Sequence, residues 1–288
     1  MKPLLKTILL AVLLPTASQA DDRQGGHHSG RDGDKNGHGL KVIGLTSDQR
    51  LVVFTEHRPE RTFNIGAISG LIGGDTALIG IDYRVQDEML YGVGNAGGVY
   101  LLNTGNAAAT FVNRLSVALT GTTFGVDFNP AADRLRIVGD DGQNLRHNIN
   151  AGGITLVDGV LNYTAGTPAL GVTGAAYTNN DLDATTGTTL YDIDTALDQV
   201  VIQSPPNNGS LAATGKLTVD STASVGFDIY STVRNGATVE VDALASLTAS
   251  NGFISLYSIS LPTGKATLRG TFKAWDKVVD IAIPLNQL

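Results

Sequence analysis

Not one cysteine occurs in the 288 residues of this chain. Disulfides, thiol nucleophiles and cysteine-based metal sites are therefore excluded. Charge is scarce as well, at 16% of residues with a net balance of -7 and no basic cluster, a poor match to nucleic acid or an anionic membrane. Past residue 39 the histidines are limited to His57 and His147. No Gly-x-Ser-x-Gly elbow and no His-Glu-x-x-His pair occurs, so the common hydrolase signatures are missing. A Ser/His/Asp site assembled from distant segments is defined by geometry and stays open. What is present is 35 Gly against 9 Pro and 42% hydrophobic residues, the composition of a β protein with many tight turns.

Residues 1–20 read as a secretory signal peptide. Lys2 and Lys6 form a basic start, Ile8–Leu14 an apolar centre, and Ala17-Ser18-Gln19-Ala20 a small-residue exit. The apolar run is too short to span a bilayer, and no other segment approaches the needed length. The expected mature protein is exported, to the periplasm or beyond, and carries 18 basic against 27 acidic residues. Residues 21–39 are Gly, His, Asp and Ser with almost nothing apolar, the composition of a disordered spacer. Residues 40–288 are expected to form one domain.

That domain repeats a phrase. Ala77-Leu78-Ile79-Gly80-Ile81-Asp82-Tyr83 returns as Thr123-Phe124-Gly125-Val126-Asp127-Phe128-Asn129-Pro130, as Val172-Thr173-Gly174-Ala175-Ala176-Tyr177 and as Ser224-Val225-Gly226-Phe227-Asp228-Ile229. A degenerate copy, Lys277-Val278-Val279-Asp280-Ile281-Ala282, comes last. Each full copy opens a series of four short apolar segments divided by turn residues, an antiparallel meander. In the last full unit these are Val225–Tyr230, Thr238–Ala243, Phe253–Ile259 and Ala266–Phe272. At the front, Lys41–Leu45, Leu51–Thr55 and Thr62–Ile68 match the second to fourth segments of a unit whose first is supplied by Val278–Pro284. Pairing that strand with the front three closes a ring and removes an open sheet edge. The prediction is an all-β, five-bladed β-propeller with four-stranded antiparallel blades. A β-solenoid competes, but it does not explain the split unit.

The runs Thr123–Pro130, Asp133-Arg134-Leu135-Arg136-Ile137-Val138, Gly142-Gln143-Asn144-Leu145-Arg146, Ala175–Asn180, Thr189–Thr195 and Pro205–Gly209 resemble the DUF4394 family of exported bacterial proteins, a domain of unknown function. The resemblance covers roughly residues 40–284 and is looser at Lys41–Gly44 and Val233–Ala249. It implies a propeller-like exported protein and transfers no catalytic residue.

Candidate chemistry starts with the repeated aspartates Asp82, Asp127, Asp228 and Asp280, which strand alternation could turn into a ring of carboxylates. Ca²⁺ suits such a ring, though no cofactor is required. The competing reading makes each carboxylate an acceptor of backbone N–H groups from a neighbouring blade. Arg134, Arg136 and Arg146, with Asp140 and Asp141 close by, form a candidate anion site or a self-paired surface cluster. Gly92-Val93-Gly94-Asn95-Ala96-Gly97 spells the dinucleotide pattern, but Val99–Leu102 reads as strand and the motif needs a helix. Asp32-Gly33-Asp34-Lys35-Asn36-Gly37 opens like a calcium loop, yet Ile43 stands where its bidentate Glu belongs. With His27, His28 and His38 it would bind metal only adventitiously. The reading is a non-catalytic, monomeric binding propeller for a protein, glycan or small-molecule ligand. A lactonase-like hydrolase with a channel Ca²⁺ and a structural envelope component are the alternatives.

Overall fold

The computed structural model describes residues 39–183, 186–235 and 237–287. The signal-peptide and spacer readings, including the Asp32–Gly37 motif, lie outside them. Strands β1 (Lys41–Thr46), β2 (Arg50–Thr55) and β3 (Phe63–Ala67) come first. Blade 2 is β4 (Leu78–Arg84), β5 (Met89–Gly94), β6 (Gly98–Leu102) and β7 (Ala109–Arg114). Blade 3 is β8 (Phe124–Asn129), β9 (Arg134–Gly139), β10 (Asn144–His147) and β11 (Thr155–Val157). A small hairpin, β12 (Asn162–Thr164) and β13 (Thr167–Pro168), precedes blade 4. That blade is β14 (Val172–Tyr177), β15 (Leu190–Asp194), β16 (Gln199–Gln203) and β17 (Leu211–Lys216). Blade 5 is β18 (Val225–Arg234), β19 (Ala237–Thr248), β20 (Ile254–Ile259) and β21 (Ala266–Thr271). Finally β22 (Val278–Ala282) pairs antiparallel with β1 and completes blade 1. The chain is thus a five-bladed propeller closed by its last strand, as the split repeat predicts.

Among the described residues the apolar side chains form a slab at each of the junctions between blades. Consecutive residues of one strand enter different slabs: Val42 packs with Phe272 and Ile281, whereas Ile43 packs with Ile81 and Leu90. Strands buried on both faces explain why the repeats read as apolar runs rather than as clean alternation. Each large apolar side chain so enclosed contributes about 1.5–3 kcal/mol.

Two features depart from the expected plan. Thr238–Ala243 is not the second strand of blade 5: Leu244–Thr248 takes that place against β20, and the residues before it extend the β18–β19 hairpin. The extension is tied to blade 4, where the Asn179 N–H donates to Ser231 Oγ at 3.0 Å and Thr238 Oγ1 to Asn179 Oδ1 at 2.9 Å. The β12–β13 hairpin was not foreseen. The Gly92–Gly97 motif is the β5–β6 hairpin, with Gly97 at φ +85°, a conformation glycine tolerates at no steric cost. It therefore begins no helix.

Candidate functional site

The innermost strand of every blade has one edge with no partner strand, so alternate N–H groups there need another acceptor. Carboxylates supply it. The N–H of Phe128 donates to Asp82 Oδ2 at 2.7 Å, that of Tyr177 to Asp127 Oδ1 at 3.2 Å, and that of Ile283 to Asp228 Oδ2 at 2.5 Å. Each aspartate therefore staples its blade to the next. Blade 4 has Ala176 at this position and blade 1 has Ala282, so neither can reach forward. There the following blade serves itself: the Ile229 N–H donates to Asp228 Oδ1 at 2.6 Å, and the Tyr83 N–H to Asp82. Three carboxylates thus satisfy five inner-edge donors.

Asp280 is not their equivalent. Gly44 pairs with Ile281 as Gly92 pairs with Ile81, which puts Ala282 level with Asp82 and Asp280 level with Gly80. A Cβ on Gly226 would lie 2.5 Å from the Asp280 Cα, just as one on Gly125 would crowd the Gly174 backbone. Asp280 works one pleat away, where its Oδ2 accepts the Ile81 N–H at 2.7 Å. The degenerate copy Lys277–Ala282 aligns Asp280 with the other aspartates, and the pairing of Gly44 with Ile281 corrects that register.

Oxygens of Asp82, Asp127 and Asp228 lie within 4.8 Å of one another beside a cavity of about 10 Å³, room for one water or ion. All three are buried. Burial pushes the Asp82 carboxyl well above its ordinary value, and the Asp228 charge adds to this. Burial does the same to Asp127, reinforced by Asp82 and Asp228. Asp228 is raised to about 7 by burial, against the pull of the Ile283 and Ile229 N–H groups. Oxygen donors and negative charge fit a divalent cation, but the five N–H donors compete for the same lone pairs.

The arginines separate. Arg136 is buried at the junction of blades 3 and 4, donating to Asn144 Oδ1 (2.7 Å), Asp158 Oδ2 (2.7 Å) and Asn207 Oδ1 (2.8 Å). Arg146 shares Asp158 through its Oδ1 at 2.9 Å. Arg134 instead donates to the Ala132 and Asp133 carbonyls of its own turn. Asp140 and Asp141 accept from Thr122 and Thr120, so Asp158 is the acid that pairs with the cluster. Arg136 joins blade 3 to blade 4, whereas Arg146 pairs with Asp158 within blade 3 and keeps about a third of its side chain exposed. The two histidines lie apart: His147 is buried between Asn113 and Thr155, and His57 is exposed beside Glu56.

One constellation was missed in the sequence. Between β21 and β22 the turn Lys273-Ala274-Trp275-Asp276-Lys277 presents the chain's single Trp, 69% exposed. Its backbone is fixed: Arg50 Nη2 donates to the Trp275 carbonyl at 3.0 Å and pairs with buried Asp276, which also accepts from Thr62 Oγ1 at 2.6 Å. The same turn forms one wall of a cavity of about 200 Å³, opposite Asn251, Gly252 and exposed Phe253. Lys273 lines that cavity, and its Nζ lies 5.5 Å from the Trp275 ring centroid. This turn leads into an innermost strand, so it sits at the opposite end of the channel from the carboxylate mouth. A lone Trp in a polar turn flanked by lysines was the available signal.

No curated protein matches the chain. Among solved structures it is similar to one from a study of the de novo evolutionary emergence of a symmetrical protein, at 16% identity and a TM-score of 0.48, covering 86% of this chain and 100% of that one. It is also similar to a protein of unknown function from Bacteroides thetaiotaomicron VPI-5482 (13% identity, TM-score 0.46, 81% of this chain and 58% of that one). A third is a putative 6-phosphogluconolactonase from Bacteroides uniformis ATCC 8492, at 13% identity and TM-score 0.41, over 81% of this chain and 82% of that one. The family model described as a domain of unknown function, DUF4394, matches residues 50–282, and the chain belongs to that family.

Proposed function

We propose that this chain is an exported, non-catalytic binding propeller whose ligand surface is the loop face carrying Phe253 and Trp275. The observation that supports it is an exposed indole on a turn held by Arg50 and Asp276. A large aromatic left in water on a rigid turn loses little entropy when a ligand covers it. Export rests on the pattern of residues 1–20. The test is a glycan and peptide array probed with the wild-type chain and with Trp275→Ala. Ligands retained by wild type and lost by the variant are expected; identical, empty arrays would sink the reading.

A second reading is a hydrolase with Ca²⁺ at the channel carboxylates, favoured by the approach of Asp82, Asp127 and Asp228 within 4.8 Å. Melting in Ca²⁺ and in EDTA separates the two. A large Ca²⁺ stabilisation lost in Asp127→Asn favours the second reading by linkage, and no shift favours the first.

A further inference from the structure

We propose that the cavity at the junction of blades 5 and 1 binds an acidic saccharide, with one sugar ring packed on Phe253 and its carboxylate between Lys273 and Lys277, beside the Trp275 turn. The inference rests on the binding-propeller reading and adds the ligand class. Its ground is the charge and shape of this one place.

The cavity, about 200 Å³, has space for roughly seven waters, the scale of one pyranose ring rather than of a peptide helix or a bilayer. Lys273 and Lys277 both line it, both are exposed, and neither has an ion-pair partner among the described residues. The one acid in the wall, Asp276, is buried and pairs with Arg50, so the two lysines outnumber it. The lining therefore presents net positive charge on a chain whose balance is -7. Two unpaired ammonium groups attract an anion, and a point charge on a flexible stem suits a carboxylate without demanding a planar fork. The apolar C–H face of a pyranose packs on an aromatic ring, and exposed Phe253 lines the cavity for it, while the Trp275 ring lies 5.5 Å from the Nζ of the lining Lys273. Asn251, on the facing loop, carries both a donor and an acceptor, which matches sugar hydroxyls. Arg50 holds the turn through the Trp275 carbonyl, so the surface exists before a ligand arrives.

The experiment titrates the full chain with tetragalacturonate, followed by its emission, which reports a single Trp. Maltotetraose, tetraglutamate and phosphatidylglycerol vesicles are run beside it. The expected result is a saturable shift with tetragalacturonate, weakened about tenfold or more in the Lys273→Gln/Lys277→Gln double variant and by added salt. Circular dichroism of that surface variant confirms that it folds. Binding of maltotetraose with equal strength in wild type and double variant overturns the acidic class. A shift with tetraglutamate or vesicles but not with tetragalacturonate overturns the saccharide and leaves a binding surface standing. No shift with any of the probes overturns this inference, and the array with Trp275→Ala then decides the broader reading separately.

Discussion

Asp82, Asp127 and Asp228 stand close enough that ionising one raises the cost of ionising the next, and burial adds to that cost. Their folded values lie above the ordinary 3.8, so between about pH 4 and, for Asp228, about 7 the native state holds more protons than the unfolded chain. The stability from these groups is complete below that window and declines as pH rises through it, by roughly 1.4 kcal/mol per unit for a group that stays protonated. Asp127→Asn keeps an oxygen for the Tyr177 N–H and removes one of the like charges. Its melting temperature should exceed the wild-type value at pH 8 and approach it below about pH 4. A lower value at pH 8 would show that the charge itself is needed. Asp127→Ala is different, because it leaves a buried N–H without an acceptor. Melting of that variant should show a loss of about 1–3 kcal/mol.

At the scale of elements, the outer edges and the Arg136 pin are the informative parts. Four of the outermost strand pairs, β2–β3, β6–β7, β16–β17 and β20–β21, carry a register shift, and the fifth, β10–β11, is only three residues long. Bulges and shortness both blunt a free edge against pairing with other chains. Arg136 joins β9 to Asp158 and to Asn207 of the neighbouring blade while fully enclosed. Arg136→Met removes one of the two cationic partners of buried Asp158 and leaves it Arg146, so urea melts should show a loss of about 3 kcal/mol. A loss below about 1 kcal/mol would show that Arg146 alone holds the Asp158 charge. The strands themselves were legible, because apolar runs between turn residues recur at blade spacing. The extended β18–β19 hairpin was not read, although Asn-Gly in the sequence after Arg234 is a strong hairpin signal. Its residues Thr238–Asp242 alternate like any blade strand, and only the pairing of Leu244 with Ser258 shows where the blade begins. The aspartate staples were legible as one of two readings. The register of Asp280 was not, since blade 1, like blade 4 with Ala176, has Ala282 where the other three have Asp.

For the whole molecule, stability depends on a ring that the chain closes with its last strand. The slab between blades 5 and 1 contains Val278, Ile281 and Ile283 with Phe54, Tyr230 and Phe272. Without β22 this slab opens, β1 gains a free edge, and Asp228 loses the Ile283 N–H. Gln287 ties the two ends of the described fold together: the Lys41 N–H donates to its Oε1 at 2.8 Å, and its Nε2 donates to the Lys41 carbonyl at 2.9 Å. Two variants test whether closure or chain order matters. Truncation after Lys277 removes the strand and the slab residues, so the product should fail to give a cooperative melt and should associate on size exclusion. A circular permutant joins Gln287 to Gly39 and opens the exposed turn at Gly73-Gly74, between blades 1 and 2. It keeps every strand pair while making blade 1 continuous, and short-range connection replaces the long-range closure. Its equilibrium melt should stay within about 1 kcal/mol of wild type and its refolding should be faster, because the loop-closure entropy of joining distant strands is removed. Refolding at the wild-type rate would show that closure of blade 1 is not what limits assembly of the ring.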